Sequence, residues 1–98
     1  MIIHPETERT SKVLTASGQV NSTVPCAVSA ITLDGGTGAT GATVILDNST
    51  DGSGTVKWIL RAVQYGSASV SFVKPIPFST ACYAALTGTG SKAAVAFS

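Results

Sequence analysis

Charge is the property that this sequence has least of. Asp, Glu, Lys and Arg make up 11% of the 98 residues and leave a formal net charge of +1, whereas about a quarter of the residues in a typical soluble domain are charged. The Lys and Arg residues are scattered from Arg9 to Lys92, which argues against a nucleic-acid-binding surface. A weakly charged surface packs more easily against neighbouring molecules than a strongly charged one, so the composition favours a protein that assembles.

Histidine and cysteine are also scarce. The single histidine, His4, stands beside Pro5 in a polar segment, with no partner for a Ser–His pair and too few ligands for a metal, which needs three or four. We therefore predict no catalytic residue, no metal and no cofactor, and a protein that is not an enzyme. Cys26 and Cys82 lie in apolar strand-like segments and are predicted to be buried, reduced thiols, although a bridge between them stays geometrically possible.

Long apolar runs are missing from the sequence. No run approaches the roughly 18 residues of a membrane-spanning helix, and residues 1–6 lack the basic and apolar regions of a secretory signal. We expect no membrane segment and a protein that is made in the cytoplasm. The Asn-Ser-Thr sequons at Asn21 and Asn48 are accordingly predicted to carry no glycan.

The residues that are abundant favour strands. Val, Thr, Ser and Gly are frequent, strong helix formers are sparse, and apolar–polar alternation recurs between Gly-rich breaks. The predicted strands are 12–20 with a bend at Gly18, 25–33, 42–47, 55–63, one around Ala68, Val70 and Phe72, 79–86, and one around Ala93, Val95 and Phe97. Seven or eight short antiparallel strands predict an all-β, compact, jelly-roll-like β-sandwich over residues 12–98, preceded by an extended N-terminal arm over residues 1–11.

Two local features refine this prediction. Within the second strand the apolar residues change faces between Val28 and Ile31, which predicts a β-bulge near Ser29 or Ala30. The segment 74–77, Lys-Pro-Ile-Pro, is predicted to interrupt a strand because proline cannot donate to the ladder.

Three motifs are interpreted as structural. Residues 36–41 spell G-x-G-x-x-G but lead into a predicted strand instead of a helix, so a turn is favoured over a dinucleotide site. Residues 47–52 resemble the start of a calcium loop, but its twelfth position is Trp58, so a hairpin loop is favoured and weak cation binding is left open. The order Cys26, Trp58, Cys82 lacks the spacing of an immunoglobulin domain.

Exposed apolar residues supply the candidate interface. Ile59 lies between Lys57 and Arg61, and Tyr83 and Ala85 alternate with residues of the apolar face, so all three stand where a polar residue would be expected. An alternative is that Ile59 is covered by the arm or by another strand. Trp58, which alternates with apolar residues, is expected to face the core; the alternative is an aromatic sugar-binding platform with Tyr65 and Tyr83. In the predicted arm the interface candidates are Ile2, Ile3, His4 and Pro5.

A family resemblance is carried by four segments of the second half. They read GTVKWILRA at 54–62, SVSF at 69–72, PIPFST at 75–80 and YAALTGTG at 83–90. Over roughly residues 13–97 the chain resembles the short β-rich virion proteins of tailed bacteriophages, in particular those of cyanobacterial and other environmental phages. One departure is Ala81, where a glycine commonly follows Phe-Ser-Thr.

The resemblance implies a structural role in the virion, after synthesis in the host cytoplasm. The expected function is that of a capsid decoration or cement protein, which binds the outer capsid surface and stabilises the shell. The implied partners are the major capsid protein or other virion proteins and further copies of the chain, with a trimer favoured. The alternatives are a tail, adaptor or fibre-associated virion module, or a carbohydrate- or receptor-binding β-sandwich.

Overall fold

The computed structural model describes residues 10–21 and 25–98, which form eight β-strands and no helix. The strands are β1 (Thr10–Leu14), β2 (Gly18–Gln19), β3 (Cys26–Asp34), β4 (Ala42–Asn48), β5 (Thr55–Ala62), β6 (Ser67–Phe78), β7 (Cys82–Thr87) and β8 (Lys92–Phe97). The all-β prediction is confirmed. Residues 1–9 of the predicted arm lie outside the described residues, whereas Thr10 and Ser11 already belong to β1 and pair with β8.

The strand order is that of a jelly roll. The first sheet has the order β1-β8-β3-β6 and the second sheet the order β2-β7-β4-β5, and every pairing is antiparallel. Strands pair as 1 with 8, 2 with 7, 3 with 6 and 4 with 5, as in one long hairpin rolled into two sheets. This nesting confirms the predicted jelly-roll-like sandwich and leaves β1, β2, β5 and β6 as edge strands.

The core lies between the two sheets and is built by alternation along each strand. Its largest fully buried side chains are Phe78, Ile31, Leu33, Leu46, Val28, Val44, Val95 and Cys82. The predicted bulge is confirmed, because the register of β3 shifts between Val28 and Ala30 against both of its neighbours. The bulge lets the two halves of β3 direct apolar residues of opposite phase into one core.

The predicted single strand 12–20 was wrong, because these residues form two strands in different sheets. β1 pairs with β8 and β2 pairs with β7, and residues 15–17 connect the sheets. Ser17 stabilises the crossing: its Oγ accepts the backbone N–H of Leu86 at 2.9 Å. The crossing allows Leu14 and Val20 to be buried in the same core from opposite sheets.

The predicted interruption at residues 74–77 is confirmed for the ladder, which lacks paired residues at 72–75, but the strand itself does not end there. β6 continues to Phe78 because it is an edge strand, where a proline can direct its missing N–H away from the ladder. Residues 72–75 oppose the bulge of β3 and have no paired residue there, since the register passes from Val28↔Ile76 to Ala30↔Ser71. Pro75 therefore occupies a position where no ladder hydrogen bond is required.

Glycine-rich loops interlock at one end of the sandwich. The N–H of Gly35 donates to the carbonyl of Gly66 at 2.8 Å, and the N–H of Tyr65 donates to the carbonyl of Gly36 at 2.9 Å. A Cβ on Gly35 would overlap the carbonyl oxygen of Val63. The G-x-G-x-x-G segment, residues 36–41, leads directly into β4, as predicted, and its first glycine, Gly36, lies in close contact with the backbone of Thr89.

Candidate interaction surfaces

The structure places two of the predicted interface residues on the outer face of the second sheet. Ile59 on β5 is 47% exposed. Tyr83 on β7 is half-buried because the β4–β5 loop passes over it: a Cβ on Gly52 would lie 3.1 Å from Cε1 of the tyrosine ring. Ile2, Ile3, His4 and Pro5 lie outside the described residues.

Ile59 is part of an apolar row that crosses three strands. The register pairs Ile45 on β4 with Ile59 on one side and with Ala85 on the other, so the three side chains stand next to one another on the outer face. We call Ala85, Ile45 and Ile59 the apolar row. Sequence reasoning missed Ile45, although its alternation with the buried Val44 and Leu46 marks it as outward-facing.

Cations flank the apolar row on β5. Arg61 lies two residues after Ile59 on β5, on the same face, and pairs with Thr43 of β4. Lys57 lies at a register shift and has no paired residue on β4, because Leu46 pairs with Trp58 and Asp47 pairs with Val56. Both cations are exposed, and the described part of the chain contains no salt bridge that engages either of them. The outer face of β5 therefore combines an exposed isoleucine with positive charge.

A second uncovered surface lies where the edge strands β5 and β6 face each other across the sandwich. Their core-facing residues are packed against the core but only partly buried: Trp58, Leu60, Ala68, Val70, Phe72 and Ile76, with Val56 51% exposed. On the opposite side of the sandwich the corresponding Leu14 and Val20 are buried. We call the β5–β6 side the open edge.

Trp58 and Phe72 meet at the open edge. Their ring centroids are 4.9 Å apart at an interplanar angle of 84°, an edge-to-face contact. Trp58 Nε1 is shielded from solvent and has no hydrogen-bond partner among the described residues, although a buried indole N–H usually has one. The expectation that Trp58 faces the core is confirmed. The alternative, an aromatic platform, is not formed, because Trp58 faces the core and Tyr83 lies on the opposite face of the same sheet.

The acidic loop between β4 and β5 is held by its own hydrogen bonds. Ser49 Oγ donates to Oδ1 of the buried Asp47 at 2.5 Å and accepts the N–H of Gly52 at 2.8 Å. Ser53 donates its hydroxyl and its backbone N–H to Asp51, which lowers the pKa of that carboxyl. The predicted hairpin loop is confirmed, and within residues 10–21 and 25–98 no three His, Cys, Asp or Glu side chains cluster as metal ligands would.

Both cysteines are buried and free, as predicted. Burial, together with the nearby Cys26 and Asp47, raises the pKa of Cys82 to about 12. Burial also raises the pKa of Cys26, against a smaller lowering by a backbone hydrogen bond from Cys82. Both thiols are therefore protonated near neutral pH, a form that is neither a nucleophile nor a metal ligand.

Comparison of the chain with protein-family models, with curated proteins and with solved structures gave no match. No enclosed pocket was found in the described part of the chain. None of its segments is a helix long and apolar enough to cross a membrane. The surfaces that remain for functional interpretation are the outer face of the second sheet and the open edge.

Proposed function

We propose that this chain is a structural protein of a tailed-phage virion, which binds the outer capsid surface as a decoration or cement protein and assembles there with other copies of itself. The jelly roll is shared by viral capsid domains and lectins, but a fold alone does not assign a function. The observation that carries the proposal is the apolar row, which stands in register on an exposed sheet face. The sequence resemblance to virion proteins supports the same role.

The apolar row suits a contact surface better than a solvated one. Ile59 is almost half exposed and packs against Ile45 only along one side, so it contributes little to the stability of a monomer. Fully burying an isoleucine side chain is worth about 1.5–3 kcal/mol, and covering the exposed half would contribute roughly 1 kcal/mol per copy. Contacts of this size hold a shell when many copies act together.

The outer face of the first sheet supports the proposal independently. Its inner strands present mainly alanine and threonine outward, and β6 presents serine: Ala27, Ala30, Thr32, Ala94, Ala96, Ser67, Ser69 and Ser71. The charged residues on these inner strands, Asp34 and Lys92, are paired with each other at one end of the face. Short uncharged side chains let a second flat surface approach closely and cost little side-chain entropy when they are covered. The outer faces of both sheets are thus suited to packing against other proteins. A protein that lies between neighbours in a shell needs two such contact surfaces.

The experiment that tests the proposal compares native mass and shell binding. Light scattering after size exclusion is expected to give three times the 9.8 kDa chain mass, and the protein is expected to sediment with undecorated shells of the phage that encodes it. Ile59→Ser is expected to weaken both. Val63→Ser is the matched control, because Val63 is 75% exposed but lies outside the apolar row. A wild-type monomer that does not sediment with shells would overturn the proposal.

A further inference from the structure

We propose that the open edge binds an extended segment of a second copy of this chain, residues 1–9, which adds as a strand beside β5. The inference concerns the contact between copies and does not depend on the virion role. Three observations support it: the uncovered core at this edge, the composition of the two edge strands, and the charge that they carry.

Among the described residues, the core is least covered on this side of the sandwich. Half-buried apolar residues face inward from both β5 and β6, whereas Leu14 and Val20 close the opposite side. Trp58 Nε1 adds an unpartnered donor at the same place, and leaving such a buried group unsatisfied destabilises the fold. A further strand beside β5 would cover Val56 and Leu60 and bring new acceptors close to the indole.

β5 is the edge strand that can accept a partner. An edge strand presents unpaired N–H and C=O groups to any extended chain, and proline is one device that blocks this pairing. β6 contains Pro75 and Pro77, whereas the eight residues of β5 contain no proline. β5 therefore offers its N–H and C=O groups along its whole length, and in residues 1–9 only Pro5 lacks an N–H to donate in return.

The positive charge of the open edge determines which segment can bind beside β5. Two β5 strands paired antiparallel about Ile59 would place Lys57 of each copy opposite Arg61 of the other, and like charges directly opposite are destabilising. Lys74 on β6 adds a third exposed cation to this edge. The favoured occupant is consequently an extended segment with apolar and acidic residues. Residues 1–9 supply Ile2, Ile3, Glu6 and Glu8, with Arg9 as their one Lys or Arg.

Distance favours the segment of a second copy over that of the same copy. Thr10 starts β1, which lies at the far edge of the first sheet from β6, three strand spacings or about 14 Å away. Nine extended residues reach about 30 Å. Crossing the sheet and reaching β5 across the roughly 10 Å between the sheets would use most of that length and leave too few residues to pair with β5.

The test is a charge swap in the full chain, read by two signals. Glu6→Lys with Glu8→Lys changes the segment, Lys57→Glu with Arg61→Glu changes the edge, and the fourfold variant reverses both. Trp58 is the only tryptophan, so its emission reports on the open edge, and light scattering reports the association of copies. Lys12→Glu is the control, because it changes the net charge in the same direction as the edge swap but on β1, where Lys12 pairs with the uncharged Val95.

Each swap alone is expected to raise the dissociation constant of the oligomer about tenfold and to shift the Trp58 emission, while the fourfold variant restores both and the control changes neither. No effect of the segment swap, or no restoration in the fourfold variant, would overturn the inference. A change in Trp58 emission at constant monomer mass would place the segment on its own copy and would equally overturn it. Because the apolar row is untouched in all these variants, failure here is distinct from failure of the Ile59→Ser test.

Discussion

Trp58 and Phe72 contact each other edge to face, with centroids 4.9 Å apart, although they belong to different sheets. Each stands on an edge strand, β5 or β6, beyond which the described chain provides no further strand. The pair therefore joins the two sheets at the side where the core is least covered. Aromatic contacts of this geometry are worth about 0.5–1.5 kcal/mol beyond the area that they bury.

Phe72→Leu is expected to lower the free energy of unfolding by about 1–2 kcal/mol, because it removes the ring contact and part of the buried volume. Urea unfolding followed by Trp58 emission measures the change, and the emission of the folded variant should also differ from that of the wild type. Val73→Ala is the control, since Val73 is the next residue of β6 and is fully exposed. Equal effects of the two substitutions would show that the ring contact has no role in joining the sheets.

Gly35→Ala is expected to destabilise the fold by at least about 2 kcal/mol. The added methyl would overlap the carbonyl oxygen of Val63, so the backbone of two interlocked loops would have to separate. Gly18→Ala provides the comparison, because its methyl would make an ordinary 3.6 Å contact with Leu14 Cδ2. Thermal unfolding of both variants measures the difference, and a similar melting temperature for both would refute the close-contact argument.

Local alternation was sufficient to predict most of the strands. It located β4, β5 and β7 within a few residues, and the change of phase in β3 located the bulge between Val28 and Ala30. It failed for residues 12–20, because alternation within a segment carries no information on which sheet each half joins. At Pro75 it located the gap in the ladder but not the continuation of β6, because the effect of a proline on a strand depends on whether that strand is at an edge.

The candidate surfaces show the same limit. Ile59 was predicted from its place between two cations on one strand. The contribution of Ile45 and Ala85 to the apolar row depends on the register between three strands, which no local pattern contains. The open edge likewise depends on β5 and β6 being the last strands of their sheets, a property of the topology and not of either segment.

Asn48→Ala is expected to lower the free energy of unfolding by about 1–2 kcal/mol. Asn48 Oδ1 accepts the N–H of Thr80 at 2.8 Å, and its Nδ2 donates to Ser79 Oγ at 3.0 Å, so this amide holds the turn between β6 and β7. Asn48→Asp keeps the acceptor and should cost less than the alanine. Chemical denaturation ranks the three proteins, and an aspartate variant as unstable as the alanine variant would contradict this role.

The titration of Cys82 is expected to lower the free energy of unfolding in alkaline solution. Its folded-state pKa of about 12 lies above its ordinary value of 9.0, so above pH 9 the unfolded chain loses the thiol proton first. The contribution of the Cys82 thiol to the free energy of unfolding is therefore constant below pH 9 and declines between about pH 9 and 12. The decline has a slope of up to about 1.4 kcal/mol per pH unit.

Cys82→Ala tests this directly. Other groups also titrate above pH 9, so the informative quantity is the difference in slope between the wild type and the variant, measured by urea denaturation from pH 7 to 11. The variant is expected to be less stable at pH 7, because a buried side chain is shortened, but to lose stability more slowly as the pH rises. Parallel pH profiles would mean that the thiol is ionised as easily in the folded chain as in the unfolded one, against its complete burial between the sheets.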